Sequence, residues 1–299
     1  MPNFKAWISA ARLRTLPLSV SGIIVGSSLA MNHLFWQSSI FWLAILTTIG
    51  FQVLSNFAND YGDGIKGADD NREGEQRMVS SGLISPKQMK TGILITAIFS
   101  MISAIVLIYY AFGAEDFLHS LLFFMLGIAS VIAALKYTIG ENAYGYSGLG
   151  DGFVFLFFGL LSVLGSYYLL DHQMVLDLLL PASTIGFLSM AVLNLNNMRD
   201  IENDAKNNKN TLVVSLGSSK AKIYHYVLIC LAVLLTLLYS IINDHSIRQL
   251  IYVIAFIPLM INLVTVYKNK EPKLLDSELK KVALSTFLFA VLFGIGQIF

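Results

Sequence analysis

The sequence of 299 residues contains little charge and almost no cysteine. Charged residues make up only 13% of the chain, against roughly 25% in soluble domains, so a water-soluble globular protein is not expected. The single cysteine, Cys230, excludes an intramolecular disulfide and a cluster of thiolate metal ligands within one chain. The net charge is +1 and there is no basic tail, which argues against nucleic acid as a partner.

Hydrophobic residues, in contrast, make up 56% of the chain. Nine apolar stretches are long enough to cross about 30 Å of hydrocarbon as helices. They cover residues 15–32, 38–59, 91–112, 117–137, 149–170, 178–197, 223–242, 248–267 and 282–299. We therefore predict an all-α, polytopic membrane protein, with nine transmembrane helices around a central cavity and a single domain over 1–299.

The positive charges predict the orientation of these helices. Of the 20 Lys and Arg residues, all except Arg248 fall before the first span or on alternate connections that lie on the same side of the membrane. Loops rich in Lys and Arg remain cytoplasmic. We therefore expect the chain in the cytoplasmic (inner) membrane, with the N-terminus inside and the C-terminus outside.

Two predicted spans end in similar acidic sequences. Each contains an asparagine, an aspartate four positions later and a second aspartate three or four positions after that: Asn56, Asp60 and Asp63 after the second span, and Asn196, Asp200 and Asp204 after the sixth. These spacings put the side chains on one helix face. Each motif alone also fits a solvated helix end, but clustered carboxylates repel one another unless a cation neutralises them.

The chemistry of these side chains favours a magnesium ion that binds a diphosphate. Carboxylate and amide oxygens suit Mg²⁺, which completes its coordination with water and substrate phosphates; Ca²⁺ is an alternative, although no EF-hand pattern is present. Cations that suit a diphosphate are interspersed with the acids: Lys66, Arg72, Arg77, Arg199, Lys206 and Lys209.

The two acidic motifs lie four spans apart. This spacing suggests a tandem repeat of two four-helix units with one additional helix, in which both motifs face one cavity. The polar loops at about 60–90 and 198–222 would then cap the site.

Four stretches resemble a known family: 12–17, 59–69, 144–151 and 196–204. They are similar to motifs of the UbiA superfamily of intramembrane aromatic prenyltransferases, and most similar to the branch that acts in menaquinone synthesis. That superfamily often has a third aspartate four residues after the second. Here this position is Gly67 and an aspartate follows at Asp69, so Asp69 is a further candidate ligand.

The resemblance implies a Mg²⁺-dependent enzyme. Asp60, Asp63, Asp200 and Asp204 would hold the metal, with Asn56 and Asn196 assisting. The enzyme would join a polyprenyl diphosphate to 1,4-dihydroxy-2-naphthoate, with loss of CO₂ and diphosphate, giving demethylmenaquinone. The lipid bilayer would hold the prenyl tail. Candidate substrate-binding residues are Arg14, Asn56, Asn59, Lys66, Arg72, Arg77, Lys136, Tyr137, Tyr144, Tyr146, Asn196, Asn197, Lys206 and Lys209.

Three further expectations concern the acceptor and the allylic cation. Asp151 would bind or deprotonate the acceptor, and Lys136 or Arg14 would recognise its carboxylate. The ring of Tyr137, Tyr144, Tyr146 or Phe153 would stabilise the cation. The alternatives are the same chemistry on another acceptor (4-hydroxybenzoate, homogentisate, a porphyrin or a lipid glycerol phosphate), a secondary transporter, and a structural scaffold.

Overall fold

The computed structural model describes residues 4–67 and 76–299, and within those ranges it contains helices and connections but no strand. The α-helices are α1 (Phe4–Ala11), α2 (Leu16–Met31), α3 (Ser39–Ile65), α4 (Pro86–Phe112), α5 (Phe117–Lys136), α6 (Gly150–Val154), α7 (Ser162–Asp171), α8 (Leu179–Arg199), α9 (Ile201–Lys206), α10 (Leu212–Ile242), α11 (Phe256–Lys268) and α12 (Leu275–Gly296). A π-helical segment, Phe155–Leu161, joins α6 to α7.

Nine helical segments in the described ranges are long and apolar enough to cross a membrane, which confirms the predicted number. The first span combines α1 and α2 over Phe4–Ala30, and the fifth runs from Gly150 to Asp171. The protein is an integral membrane protein of the all-α class.

Several helices extend further into polar sequence than the hydropathy predicts. α3 continues to Ile65 instead of 59, and α12 begins at Leu275 instead of 282. α10 begins at Leu212 instead of 223, with a kink at Gly217, whose backbone is not helical. Hydropathy marks where hydrocarbon ends, whereas a helix ends where its backbone is capped. The side chain of Thr211, for example, accepts a hydrogen bond from the amide of Val214 and so begins α10.

The two most extensive helix pairs are α3 with α4 and α8 with α10. In span numbering these are the second with the third and the sixth with the seventh, so a shift of four spans relates them. Each pair also shares a buried hydroxyl hydrogen bond, Thr47 to Ser103 and Thr184 to Thr236. This agreement fits the tandem repeat, which remains a prediction.

Two glycines bring α2 against α7. A Cβ added at Gly26 would lie 2.1 Å from the carbonyl oxygen of Val163, and one at Gly22 would overlap the side chain of Ser162. The spacing Gly-x-x-x-Gly allows close approach of backbones in transmembrane helix pairs. The wall formed by α2 and α7 is therefore tightly packed.

Candidate active site

A cavity of about 400 Å³ lies between the helices, and its lining comes chiefly from α2, α3, α5, α8 and the fifth span. On α3 the lining runs from Ala44 to Asp63. At about 1.5 Å per helical residue, this stretch is about 28 Å long. The cavity therefore extends along most of the bundle from the end where α3 and α8 finish, which we call the motif end.

The cavity is polar at the motif end and largely apolar elsewhere. Its charged and amide lining residues are Arg12, Arg14, Gln52, Asn59, Asp63, Arg77, Asn196 and Lys209, whereas Leu107, Phe123, Leu126, Phe157, Leu161 and Leu169 are among its apolar lining residues. Such a space suits a ligand with an anionic head and a long hydrocarbon tail.

The two acidic motifs meet at Lys209. Its Nζ lies 3.7 Å from Oδ2 of Asp63 and 3.8 Å from Oδ1 of Asp204. These two oxygens are therefore no further apart than the sum of those distances. All three side chains are largely buried, since their exposed fractions are 12%, 3% and 6%. One carboxylate from each motif thus shares a single cation, as the predicted convergence requires.

Asp63 has further polar partners at the edge of the cavity. The hydroxyl of Tyr146 donates to Oδ1 of Asp63 at 2.8 Å, and Nη2 of Arg77 lies 4.0 Å from Oδ2. The ammonium of Lys66 lies over the Tyr146 ring, 4.0 Å from its centroid. Burial lowers the pKa of Lys66, an effect that Asp63 opposes and Lys209 reinforces.

Asp60 and Asp200 make different contacts. Asp60 accepts hydrogen bonds from the amides of Met78 and Val79 at 3.0 and 2.9 Å, and so fastens the segment before α4 to the end of α3. Both oxygens of Asp200 accept from Arg199, at 2.8 and 2.7 Å. In the described ranges, neither aspartate is part of the cavity lining.

The asparagines of the two motifs also have partners. Nδ2 of Asn56 donates to the carbonyl of Ala11 and to Thr15, which ties α3 to the N-terminal helix, and its Oδ1 accepts from Gln52. Asn196 lines the cavity, and its Oδ1 accepts from Arg199 at 2.9 Å. Their assignment as metal ligands remains a prediction.

Three aromatic rings lie beside the polar end. Tyr137, Tyr144 and Phe153 line the cavity, and the rings of Tyr144 and Phe153 stack with centroids 3.9 Å apart. The Tyr144 hydroxyl donates to the carbonyl of Ala133 at 2.9 Å. Burial, with a smaller effect of Tyr137, raises the pKa of Tyr144 above its ordinary value, so the phenol stays neutral.

Other predicted residues lie away from the cavity. Within the described chain, Lys136 and Lys206 are exposed and outside the lining, and Asn197 is buried outside it. Asp151 is buried beside the lining residue Gly150 and accepts a hydrogen bond from Tyr224 at 3.0 Å.

Two predicted residues, Asp69 and Arg72, lie outside the described residues, so their predicted roles are not tested.

The donor set fits a magnesium ion that shares its coordination with a substrate. Across residues 4–67 and 76–299, no three His, Cys, Asp or Glu side chains converge as a metal cluster. Asp63 and Asp204 nevertheless approach the same cation, and Mg²⁺ commonly takes one or two carboxylates with water and substrate phosphates. The residues at the motif end therefore fit such an ion.

The structure adds three residues to the site that were not predicted. Arg12 lines the cavity with a left-handed backbone, φ 49°. Thr138 donates to the carbonyl of Ala58 and to the side chain of Asn59. Asp276 pairs with Arg199 and Arg14. Only Arg12 had a sequence signal, since it begins one of the family-like stretches.

The model of the UbiA prenyltransferase family matches residues 19–292. The chain belongs to the UbiA prenyltransferase family. It is therefore a membrane prenyltransferase, and both acidic motifs lie within the matched UbiA region.

Relatives within the UbiA family cover nearly the whole chain. The chain is 41% identical over 297 residues to 1,4-dihydroxy-2-naphthoate octaprenyltransferase of Haemophilus influenzae, covering 98% of this chain and 96% of the relative. It is 39% identical over 295 residues to the Escherichia coli protein of the same name, covering 98% and 94%.

Solved UbiA structures share the fold at lower identity. The apo UbiA homologue from Aeropyrum pernix superposes with a TM-score of 0.71 at 13% identity, over 95% of this chain and 97% of that one. The Archaeoglobus fulgidus homologue bound to GPP and Mg²⁺ has a TM-score of 0.64 at 15% identity, over 98% and 99%.

Proposed function

We propose that this protein transfers a polyprenyl chain from polyprenyl diphosphate to 1,4-dihydroxy-2-naphthoate in a Mg²⁺-dependent reaction. The observation that carries the proposal is the meeting of Asp63 and Asp204 at Lys209, at the polar end of a long apolar cavity. The names of the relatives from Haemophilus influenzae and Escherichia coli support the choice of acceptor.

The residues at the motif end would bind the diphosphate. Arg77 and Lys209 line the cavity beside Asp63, so their charges would bind phosphate oxygens while the carboxylates hold the metal. Bound Mg²⁺ would neutralise charge on the diphosphate leaving group. The hydrocarbon tail would lie between the apolar faces of α5 and the fifth span.

The aromatic residues would protect the reacting carbon. As the allylic C–O bond breaks and diphosphate leaves, positive charge develops on the prenyl chain. Tyr137, Tyr144 and Phe153 present rings to the cavity, so they would stabilise that charge and exclude water.

The acceptor would lie near Arg14. Of the two cations predicted to recognise its carboxylate, Arg14 lines the cavity, whereas Lys136 is exposed outside the described lining. A ring carbon attacks the prenyl cation, and the carboxylate is lost as CO₂. The electron pair of the broken C–C bond restores the aromatic ring, so no net proton is released. This balance gives the hydroquinone form of demethylmenaquinone. We place the motif end on the cytoplasmic face of the inner membrane, because Lys and Arg concentrate there.

The test is prenyl transfer by the purified protein in lipid nanodiscs. With Mg²⁺ and a polyprenyl diphosphate, we expect a prenylated product and diphosphate release with 1,4-dihydroxy-2-naphthoate, and no product with 4-hydroxybenzoate or homogentisate. Chelation of divalent metals should stop the reaction. Product from 4-hydroxybenzoate and none from the naphthoate would refute the acceptor. Diphosphate release that is unaffected by Asp63→Asn would refute the assigned site.

A further inference from the structure

The first turn of α12 places a carboxylate between the second acidic motif and the cavity. Oδ1 of Asp276 accepts a hydrogen bond from Nη1 of Arg199 at 2.5 Å, and Oδ2 lies 3.6 Å from Nη1 of Arg14. Arg199 immediately precedes Asp200, and Arg14 lines the cavity. Asp276 therefore lies in a row of alternating charges, from Asp200 through Arg199 to Arg14.

Arg199 is a buried cation whose charge is divided among several acceptors. Its side chain is 2% exposed, it binds both oxygens of Asp200, and it donates to Oδ1 of Asn196. An arginine that acted on Asp200 alone would reduce the attraction of that carboxylate for a second cation. Asp276 accepts from the same guanidinium, so its carboxylate offsets part of the Arg199 charge that faces Asp200.

Arg14 contacts the same carboxylate. Its side chain is 30% exposed, and a long, partly exposed arginine has many rotamers unless a partner restrains it. Asp276 is such a partner for Arg14. It lies one helical turn before Leu279, which lines the cavity. The pair therefore holds the Arg14 guanidinium close to the polar end.

The turn that carries Asp276 is itself fixed by a buried polar network. Oε2 of Glu278 accepts from Asn262 at 2.8 Å, Asn262 in turn bonds to His225 at 2.8 Å, and Lys281 pairs with the other oxygen of Glu278. These contacts tie the beginning of α12 to α11 and α10. The position of Asp276 is thus set by three helices and not by a flexible connection.

We propose that Asp276 is a positioning residue for the prenyl transfer site. It holds Arg14 towards the anionic substrate and limits the neutralisation of Asp200 by Arg199. This inference rests on the proposed function, which it deepens by adding a residue from the ninth span to the site.

The experiment compares Asp276→Asn with Glu271→Gln, which removes the same charge from an exposed position in the connection before α12. We expect Asp276→Asn to weaken Mn²⁺ binding to the substrate-free protein in nanodiscs by about fivefold. It should raise the KM for the naphthoate by a similar factor, with little change in kcat. Glu271→Gln should leave all three quantities unchanged.

A second variant separates positioning from support of the helix, because an acid in the first turn also favours the helix dipole. Asp276→Glu keeps the charge but moves the carboxylate, so both constants should shift partway towards those of Asp276→Asn. In an Arg14→Met background, Asp276→Asn should raise the KM no further. The inference would be overturned by two results together. In Asp276→Glu, Mn²⁺ binding and the KM would equal those of the wild type. In Asp276→Asn, only the unfolding temperature would be lowered.

These outcomes are distinct from failure of the proposed function. A wild-type protein that prenylates no naphthoate would refute the reaction, whereas the Mn²⁺ measurement needs no turnover and would still decide the role of Asp276. An active wild type with Asp276→Asn indistinguishable from Glu271→Gln would refute the inference alone.

Discussion

The ammonium of Lys209 occupies the place between two carboxylates where a metal ion is expected, and its replacement by methionine tests this directly. At an effective dielectric constant near 20, a cation about 4 Å from each carboxylate gains about 4 kcal/mol per pair. Desolvation of these buried charges cancels most of that energy. We take the net stabilisation as about 1–2 kcal/mol, which corresponds to a factor of about 5–30.

A metal that displaces this ammonium must overcome that net energy. We therefore expect Lys209→Met to tighten Mn²⁺ binding to the substrate-free protein by about 5–30-fold. At the same time the KM for the polyprenyl diphosphate should rise, because the diphosphate loses a cation. The two opposite changes distinguish Lys209 from a residue that only maintains the fold.

The assay is an Mn²⁺ titration followed by electron paramagnetic resonance of the protein in nanodiscs, with steady-state kinetics on the same samples. Lys206→Met is the matched control, since Lys206 is exposed and lies outside the cavity lining of the described chain. Mn²⁺ binding that is weaker than wild type or unchanged in Lys209→Met would refute the idea that metal and ammonium compete for Asp63 and Asp204.

Three further predictions follow from the packing and the site. Asp63→Asn should lower kcat/KM for prenyl transfer by about 100-fold or more, since a transition-state charge contact is worth several kcal/mol; a decrease of less than fivefold would contradict its role. Gly26→Ala should destabilise the protein by about 1–3 kcal/mol, because the added Cβ would meet the Val163 backbone. The measurement is the unfolding temperature in detergent. The control Gly152→Ala should leave that temperature unchanged, because Gly152 has open space around it. Tyr144→Phe should retain most activity and Tyr144→Leu should lose it, as measured by product formation; equal activities would exclude a role for the aromatic face.

Much of the fold could be predicted because hydropathy and charge are local properties of the sequence. The nine spans follow from apolar runs, and the repeat of an asparagine and two aspartates predicted that the two motifs would face one cavity. The positions of helix ends were less predictable, since caps such as Thr211 act through single hydrogen bonds. Hydropathy consequently ended α3 too early and began α12 too late.

The partners of the site residues could not be predicted from spacing. Asp60 binds amides 18 and 19 positions further along the chain, and Asp276 reaches Arg199 across 77 positions. Such contacts depend on how helices approach one another, which no local pattern encodes. Asp276 also lay before the predicted ninth span, so it had no assigned place in the bundle.

The glycine contacts between α2 and α7 have a consequence for how a long substrate enters. The two helices are in close contact at Gly22 and Gly26. We therefore expect that side of the cavity to keep its width. α5 is different, because it packs mainly on α3 and α4 and is the least buried of the nine spans in the described chain. We therefore expect any widening of the cavity for a bulky hydrocarbon tail to occur at α5 and not at the wall formed by α2 and α7.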